Sequence, residues 1–316
     1  MTRHAALWLK HPSTWLTALA VPAGALALLG YTASWWFPGE LASHWTLHAG
    51  AVLLALWALW FRRGWPALVL LVLVGAAFAP WVQAAWRVRA PVPSGPVSTV
   101  VSANLYTRNP RRFQAWDELL AEEPDLLAVE EALPIDLDEL SVRYQHVVTS
   151  AGRRHGMNIL ASRWPLRFLW SPGNNQWGAA VAASWEPPWG RATVVAIHTQ
   201  SPMTAQDVLH RQALLVAVAE WIATGVDPVI VLGDANCTHA VATWDRFLAE
   251  ARLREPPGPQ PGTWPSHLGP FGIGIDHVLV RGLACGPVTA RIVSGSDHRA
   301  IQAQIGPLEP AGNSRH

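Results

Sequence analysis

The strongest constraint on this chain is a set of three long apolar runs near its amino terminus, none of which contains Asp, Glu, Lys or Arg. The runs are Trp15–Trp36, His44–Phe61 and Trp65–Trp86. A helix of about 20 residues crosses a hydrocarbon core of about 30 Å, and the tryptophans at the ends of the runs suit the headgroup zone of a bilayer. The runs predict a membrane anchor of three transmembrane helices over residues 1–90. The alternative is a buried helical hairpin in a soluble protein.

The charges that flank the runs predict on which side of the membrane the rest of the chain lies. Positive side chains precede the first run and separate the second from the third, and these are Arg3, Lys10, Arg62 and Arg63. The first connection carries only Glu40. Because positively charged loops stay in the cytoplasm, three crossings place the large domain of a multi-pass plasma-membrane protein on the periplasmic or extracellular side. Arg87 and Arg89, after the third run, favour the opposite orientation.

Composition changes after the third run. Residues 91–96 are rich in Pro and predict a short stiff linker. From Ser98 onward the chain has 17 Arg against 21 Asp and Glu, a net charge near −4. Strand-like and helix-like patterns alternate over residues 97–306 and predict one catalytic domain, followed by a disordered tail over residues 307–316. Cys237 and Cys285, the only cysteines, either form one disulfide or remain buried thiols.

A buried strand in the middle of this domain is followed at once by polar side chains. Val229–Leu232 are four β-prone apolar residues, and Gly233 ends the strand where the chain must turn. Asp234 and Asn236 come next, so a carboxylate and an amide can face one point. This pair suits a phosphoryl group held near a cation, although Gly-Asp-x-Asn is also an ordinary turn.

Polar residues stand at the ends of most other predicted strands as well. A layered sheet brings such ends together, so we expect these residues to form one site. Oxygen ligands without thiolates favour Mg²⁺ or Mn²⁺ over zinc. Taken singly, each residue also has an ordinary explanation as a turn or core residue. The strand-end residues are Asn104, Glu131, His198, Asp234, Asn236, Asp276, Asp297 and His298.

The order and context of these residues resemble the endonuclease/exonuclease/phosphatase superfamily, which includes pancreatic deoxyribonuclease. The resemblance covers about residues 97–305. The pair Glu130-Glu131 departs from the Gln-Glu that is usual there, so Glu131 is chosen as the ligand by position, and Asn158 stands where a small residue is common. The matching motifs are Asn104, Pro124–Glu131, Gly156–Arg163, His198-Thr199, Gly233–Asn236, Ile275–His277 and Ser296–Arg299.

The resemblance implies an α/β fold and a metal-dependent site. The fold is a four-layered α/β/β/α sandwich preceded by the three transmembrane helices. Glu131, Asn104 and Asp297 would bind Mg²⁺ or Mn²⁺. His298, oriented by Asp276, would take a proton from the attacking water.

The other matching residues are expected to act on the substrate. Asp234 and Asn236 would position the nucleophile and stabilise the charge of the transition state, while His198 would hydrogen-bond a phosphoryl oxygen. Arg153 and Arg154, close before the Gly156 motif, suit one or two substrate phosphates.

These features predict a membrane-anchored phosphohydrolase that cleaves a phosphoester or pyrophosphate at the bilayer surface. The anchor, together with Thr263-Trp264-Pro265, resembles the bacterial branch that includes teicoplanin-resistance membrane proteins, which implies a lipid pyrophosphate. The first alternative is a metal-dependent nuclease, which an acidic domain without Lys disfavours. The alternative from another class is an inactive binding module displayed on the membrane, and such a module would be expected to have lost a site residue.

Overall fold

The computed structural model of the protein describes residues 12–33, 35–62, 64–150, 156–172, 178–225 and 228–308. The chain divides into two compact units. The first comprises Met1–Arg87 with His239–Trp244, and the second comprises Val88–Thr238 with Asp245–His316.

The first unit is helical. Its helices are α1 (Pro12–Leu29), a 3₁₀ turn (Gly30–Thr32), α2 (Phe37–Ser43), α3 (Thr46–Trp60) and α4 (Trp65–Ala85). Apolar side chains of α1, α3 and α4 form one buried cluster, in which Ala27, Leu53 and Ala77 have no exposed surface. These helices have no polar face, which is typical of helices whose every side is buried in protein or embedded in a membrane.

The structure corrects the extents of the three predicted spans. Within the described residues only α4, with a mean hydropathy of 2.1, is by itself long and apolar enough to cross a membrane. The helix over the first run, together with its 3₁₀ turn, extends to Thr32, and α2 follows after a short break at an angle of 117°, with Pro38 in its first turn. Helix α3 has 15 residues, which is about 22 Å at 1.5 Å per residue and short of a hydrocarbon core.

The second unit contains two β-sheets. The strands of the larger sheet are β1 (Ser98–Asn104), β2 (Leu126–Ala132), β3 (His146–Thr149), β4 (Met157–Ser162), β10 (Leu283–Cys285), β11 (Thr289–Ile292) and β12 (Arg299–Pro307). They lie in the order β10-β12-β1-β2-β4-β3, with β11 paired to β12. The strands of the smaller sheet are β5 (Leu166–Trp170), β6 (Gly178–Trp185), β7 (Ala192–Thr199), β8 (Val229–Asp234) and β9 (Asp276–Arg281), in that spatial order.

The two sheets pack face to face through apolar side chains and carry helices on their outer faces. Leu126 and Ala128 of β2 share a buried cluster with Val194 of β7 and Ile230 of β8. The helices after β1 are α5 (Arg112–Leu120), α6 (Asp136–Arg143), α7 (Ala205–Ala223) and α8 (Ala242–Ala251). Helices α5 and α6 pack on β1 and β2, and α7 packs on β6 and β7. The predicted four-layered sandwich is confirmed.

Strand register brings the predicted polar residues to one end of the sandwich. In parallel β1 and β2, Asn104 lies opposite Glu130. In parallel β7 and β8, His198 lies opposite Asp234, which in turn faces Asp276 of antiparallel β9. Parallel neighbours end at the same edge of a sheet, so each strand delivers its terminal side chain to a shared region.

The segment around the predicted short stiff linker is bonded to the second unit. The Ala90 N–H donates to Glu255 O at 2.8 Å, and Pro91 O accepts from the Cys285 N–H at 2.8 Å. Arg89 forms an ion pair of 2.8 Å with the buried carboxylate of Glu255. The chain is therefore fixed to this unit from residue 89, and the tail predicted over 307–316 lies outside the described residues after residue 308.

A candidate active site at the ends of the central strands

Two consecutive acids at the end of β2 have different surroundings because the strand bulges there. Glu130 and Glu131 together oppose the single residue Asn158 of β4. Glu131 has φ +55°, and a Cβ on Gly156 would lie 2.6 Å from its Cα, so only glycine fits beside the bulge. Glu130 is fully buried, whereas the side chain of Glu131 is 21% exposed. The bulge thus directs Glu131 to the site.

Glu131 is held as an anion facing the site. Its Oε2 accepts hydrogen bonds from the backbone N–H and the hydroxyl of Thr107, both at 2.6 Å. Its Oε1 accepts a longer bond of 3.3 Å from Asn104 Nδ2. Burial opposes its charge, but His198 and the Thr107 bonds outweigh burial and hold the pKa of Glu131 below its usual value.

The predicted metal ligands fit a hard cation. Glu131 offers Oε1, and the amide of Asn104 stands beside it with Oδ1 accepting from the Tyr106 N–H at 2.9 Å. Asp297 is partly exposed and accepts from Trp264 Nε1 at 3.1 Å with Oδ2. An anionic carboxylate with further oxygen donors is the ligand chemistry of Mg²⁺ or Mn²⁺.

The turn after β8 places a carboxylate and an amide at the centre. The N–H of Asn236 donates to Asp234 Oδ1 at 2.8 Å, and Asp234 Oδ2 accepts from the amides of Asn236 (3.1 Å) and Asn104 (3.2 Å). At Gly233, with φ +132°, an added Cβ would collide with Ile197 O. Burial raises the pKa of Asp234 to about 7, although the nearby imidazole of His298 acts in the opposite direction.

A histidine and a carboxylate form the opposite side of the site. His298 Nδ1 lies 3.0 Å from Asp276 Oδ2, and its Nε2 lies 3.7 Å from Asp234 Oδ2. Ser296 fixes this segment, because its hydroxyl donates to Asn104 O at 2.6 Å and accepts from the His298 N–H at 3.0 Å. Burial opposes the charge on His298, but the carboxylates of Asp276 and Asp234 outweigh burial and raise its pKa to about 10.

His198 lies at the end of β7, beside Asp234 and Glu131. Its Nε2 lies 3.7 Å from Asp234 Oδ2 and 3.9 Å from Glu131 Oε1. A pocket opens beside it, lined by Glu131, Gly178, His198, Thr199, Gln200 and Ser201. Polar side chains around an open pocket next to a carboxylate suit a phosphoryl group.

A second arrangement of ligands exists within the same site. One ligand atom from each of Asp234, Asp276 and His298 lies within 4.8 Å of the others, which is close enough for the three to hold an ion. Within this cluster Asp276 engages His298 Nδ1, which leaves Nε2 facing the centre. A carboxylate on one ring nitrogen fixes the tautomer of the other.

The structure brings together the eight predicted strand-end residues at one end of the sandwich. Arg153 and Arg154, predicted to contact substrate phosphates, lie outside the described residues. Sequence reasoning gave no site role to Thr107, nor to Ser296 and Thr263, which it named only within motifs; the Thr263 hydroxyl accepts from the Asp276 N–H at 3.3 Å. For Thr107 the only available signal was its proximity to Asn104 in sequence.

Comparisons with known proteins agree with this geometry. The sequence model of the Endonuclease/Exonuclease/phosphatase family matches residues 101–298. No curated protein sequence matches the chain.

Solved structures share the fold at low sequence identity. Humanized D. rerio TDP2 superposes with a TM-score of 0.52 at 16% identity, covering 66% of this chain and 99% of that one. A functionally unknown conserved protein from Enterococcus faecalis V583 gives 0.52 at 16% identity, over 66% and 100%. An endonuclease/exonuclease/phosphatase from Beutenbergia cavernae DSM 12333 gives 0.52 at 17%, over 67% and 72%.

Proposed function

Because this chain belongs to the Endonuclease/Exonuclease/phosphatase family, we propose that it is a metal-dependent hydrolase of a phosphoester or pyrophosphate. The observation that carries the proposal is the pairing of two groups across Asp234. On one side stands the anionic Glu131 with Asn104, and on the other the His298–Asp276 pair. A ligand set opposite an oriented imidazole is what metal-assisted attack of water on phosphorus requires.

Each residue contributes a distinct part of the reaction. Water attacks phosphorus, and His298 Nε2 accepts its proton while Asp276 holds Nδ1. Asp234 and the amide of Asn236 orient the water, and His198 donates to a phosphoryl oxygen as charge develops there. The bond between phosphorus and the leaving oxygen then breaks, the leaving oxygen takes a proton from solvent where it needs one, and the leaving group departs as an alcohol or a phosphate.

Glu131, Asn104 and Asp297 would hold the metal ion. When bound, Mg²⁺ or Mn²⁺ supplies charge neutralisation for the phosphoryl oxygens. The carboxylates of Asp276 and Asp234 raise the pKa of His298, so a cation bound nearby would lower that pKa and favour the neutral imidazole that can accept a proton.

The substrate proposed is a phosphorylated lipid, with a lipid pyrophosphate as the leading candidate. Two features support a membrane substrate. Helix α4 is long and apolar enough to span a bilayer, and exposed apolar side chains stand on loops beside the site. Phe271 (73% exposed) ends the 3₁₀ helix Ser266–Phe271, in which the Ser266 N–H donates to Asp297 O, and Met203 (75% exposed) lies five residues after His198.

The three apolar runs are proposed to act together as a multi-pass anchor, with α1 and α2 forming one broken span. The flanking charges then place the second unit outside the plasma membrane. A periplasmic or extracellular reporter fused after Ile305 should be active, and a reporter that works only in the cytoplasm should be silent. The reverse outcome would remove externally exposed lipids as substrates.

The activity test uses the full-length protein in detergent micelles. Undecaprenyl pyrophosphate, a phospholipid panel, bis(p-nitrophenyl) phosphate and DNA are offered with Mg²⁺ or Mn²⁺, and again with chelator. Glu131→Ala, Asp234→Ala and His298→Ala should each lower turnover by roughly a thousandfold or more. His210→Ala, whose side chain contacts Gln206 on the exposed face of α7, is the matched control. Near-normal turnover by a folded His298→Ala protein would refute the mechanism, and rapid salt-sensitive DNA cleavage would favour a nuclease.

A further inference from the structure

Three site residues other than glycine have a left-handed backbone. They are Tyr106 (φ +60°), Glu131 (φ +55°) and Asn236 (φ +45°). The two other such residues in the described part of the chain, Glu123 and Arg252, lie in the turns after helices α5 and α8, where left-handed residues are common. The backbone strain at the site therefore has to be held by its surroundings.

A buried guanidinium binds the carbonyls of two of these residues. Arg112 Nη2 donates to Tyr106 O at 2.9 Å, to Thr107 O at 3.2 Å and to Glu131 O at 3.4 Å. Arg112 thus connects the bulge that carries Glu131 with the loop that contains Thr107. Thr107 in turn donates two hydrogen bonds to the Glu131 carboxylate. The planar fork of arginine lets Nη2 contact these carbonyls while Nη1 binds Asp136, which the single nitrogen of lysine does not reproduce.

Asp136 fixes the position of Arg112. Its Oδ2 accepts from Arg112 Nη1 at 2.6 Å and from the Leu133 N–H at 2.6 Å, while its Oδ1 accepts from Trp116 Nε1 at 2.7 Å. The carboxylate is fully buried and the Arg112 side chain is 8% exposed. The arginine is consequently behind the site and does not face a substrate.

A second buried arginine binds the third left-handed residue. Arg211 of α7 is fully buried, and its Nη1 donates to Asn236 O at 2.8 Å. The amide of Asn236 donates in turn to Thr199 O at 3.0 Å and to Asp234 Oδ2 at 3.1 Å. Arg211 therefore sets the backbone from which the central amide reaches the central carboxylate.

We propose that Arg112 and Arg211 are positioning residues that hold the strained backbone of the site, Arg112 for the metal ligand Glu131 and Arg211 for Asn236. This inference rests on the proposed function and assigns to each arginine a separate part of it. Without the contacts of Arg112, Glu131 is less firmly positioned as a metal ligand. Without the contact of Arg211, the amide of Asn236 no longer points to Asp234, and the two groups orient water less well.

The test compares Arg112→Lys and Arg211→Lys with Arg281→Lys in the full-length protein. Arg281 is the matched control, because it also donates to two carbonyls, Ala251 O at 3.0 Å and Ile222 O at 3.2 Å, but at the end of β9 remote from the site. The measurements are the Kd for Mn²⁺ by calorimetry, the thermal midpoint, and kcat and KM on bis(p-nitrophenyl) phosphate.

Arg112→Lys should raise the Kd for Mn²⁺ about tenfold or more. Arg211→Lys should lower kcat about tenfold while the Kd for Mn²⁺ changes less than twofold. Arg281→Lys should lower only the thermal midpoint. In the Arg112→Lys background, Tyr106→Asn should recover part of the Mn²⁺ affinity, because asparagine accepts the left-handed backbone more readily than tyrosine.

The outcomes separate this inference from the proposed function. If the wild type binds Mn²⁺ and hydrolyses the diester but both site variants behave like Arg281→Lys, the positioning roles are wrong and the function stands. If the wild type neither binds Mn²⁺ nor hydrolyses any substrate, the proposed function is wrong, and the Arg112 role is wrong with it. Should Arg112→Lys fail to fold, Asp136→Asn, which keeps the shape of the partner, must still raise the Kd for Mn²⁺.

Discussion

The protonation of the buried residue Glu130 gives the most direct test of the electrostatics around the site. Its side chain is fully buried, with Oε1 accepting from the Ser102 hydroxyl at 2.9 Å and Oε2 lacking a hydrogen-bond partner among the described residues. Burial, followed by the negative charge of Asp276, raises the pKa of Glu130 well above its ordinary value of 4.5. Burial in the folded protein therefore favours the protonated form of this acid.

The direction in which stability changes with pH follows from the number of protons bound by the folded and the unfolded protein. Between pH 4.5 and the folded-state pKa, the folded protein binds one more proton at Glu130 than the unfolded chain, so stability falls as pH rises. The slope for one group is about 1.4 kcal/mol per pH unit. For a domain of this size that corresponds to about 3–5 °C in thermal midpoint per pH unit.

Glutamine at position 130 is neutral at every pH, so its burial does not depend on binding a proton. The midpoint of Glu130→Gln should equal that of the wild type near pH 5 and exceed it increasingly toward pH 8. Thermal unfolding of the full-length protein is followed with chelator present, so that no bound cation alters the site, and Glu186→Gln controls for loss of a surface carboxylate. A difference in midpoint that stays constant from pH 5 to pH 8 would show that Glu130 is not protonated in the folded protein.

Two further predictions concern the histidine pair and the fixed segment before β1. Asp276→Asn should keep the fold but lower kcat at least a hundredfold, because an amide does not fix the His298 tautomer in the same way; full activity would contradict this role. A soluble protein that starts at Pro96 should melt several degrees below one that starts at residue 88, because it lacks the Arg89–Glu255 ion pair; equal midpoints would show that the segment contributes nothing.

The sequence predicted the layers and the site because both depend on local patterns. Buried strands ending in polar residues identify Asp234 and His198 without any tertiary information, since strand register alone brings them opposite each other. The strand at His146–Thr149 and helix α6 were missed, since they have only four and eight residues. The extent of the first membrane run was wrong because composition does not reveal a 117° break.

The choice between Glu130 and Glu131 shows a limit of another kind. Adjacent strand residues ordinarily point to opposite faces, and the sequence contains no direct sign of the bulge that changes this rule. The bulge depends on Gly156, on the opposing Asn158 and on the carbonyl contact from Arg112. These residues come from three separate segments, so the orientation of the ligand becomes visible only in three dimensions.

The use of arginine inside the fold also bears on the substrate. Several of the 17 Arg after Ser98 are directed at backbone carbonyls and not at solvent, and these are Arg112, Arg211, Arg281 and Arg299. The domain therefore presents fewer cations than its composition suggests, while binding a nucleic acid requires a face that neutralises several phosphates. Cleavage by this site should accordingly depend weakly on salt, since a single phosphoryl group near His198 needs one or two cations at most. A steep fall in rate between 50 and 200 mM salt, at roughly the slope expected for six or more phosphate contacts, would instead require a basic surface formed with the residues around Arg153 and Arg154.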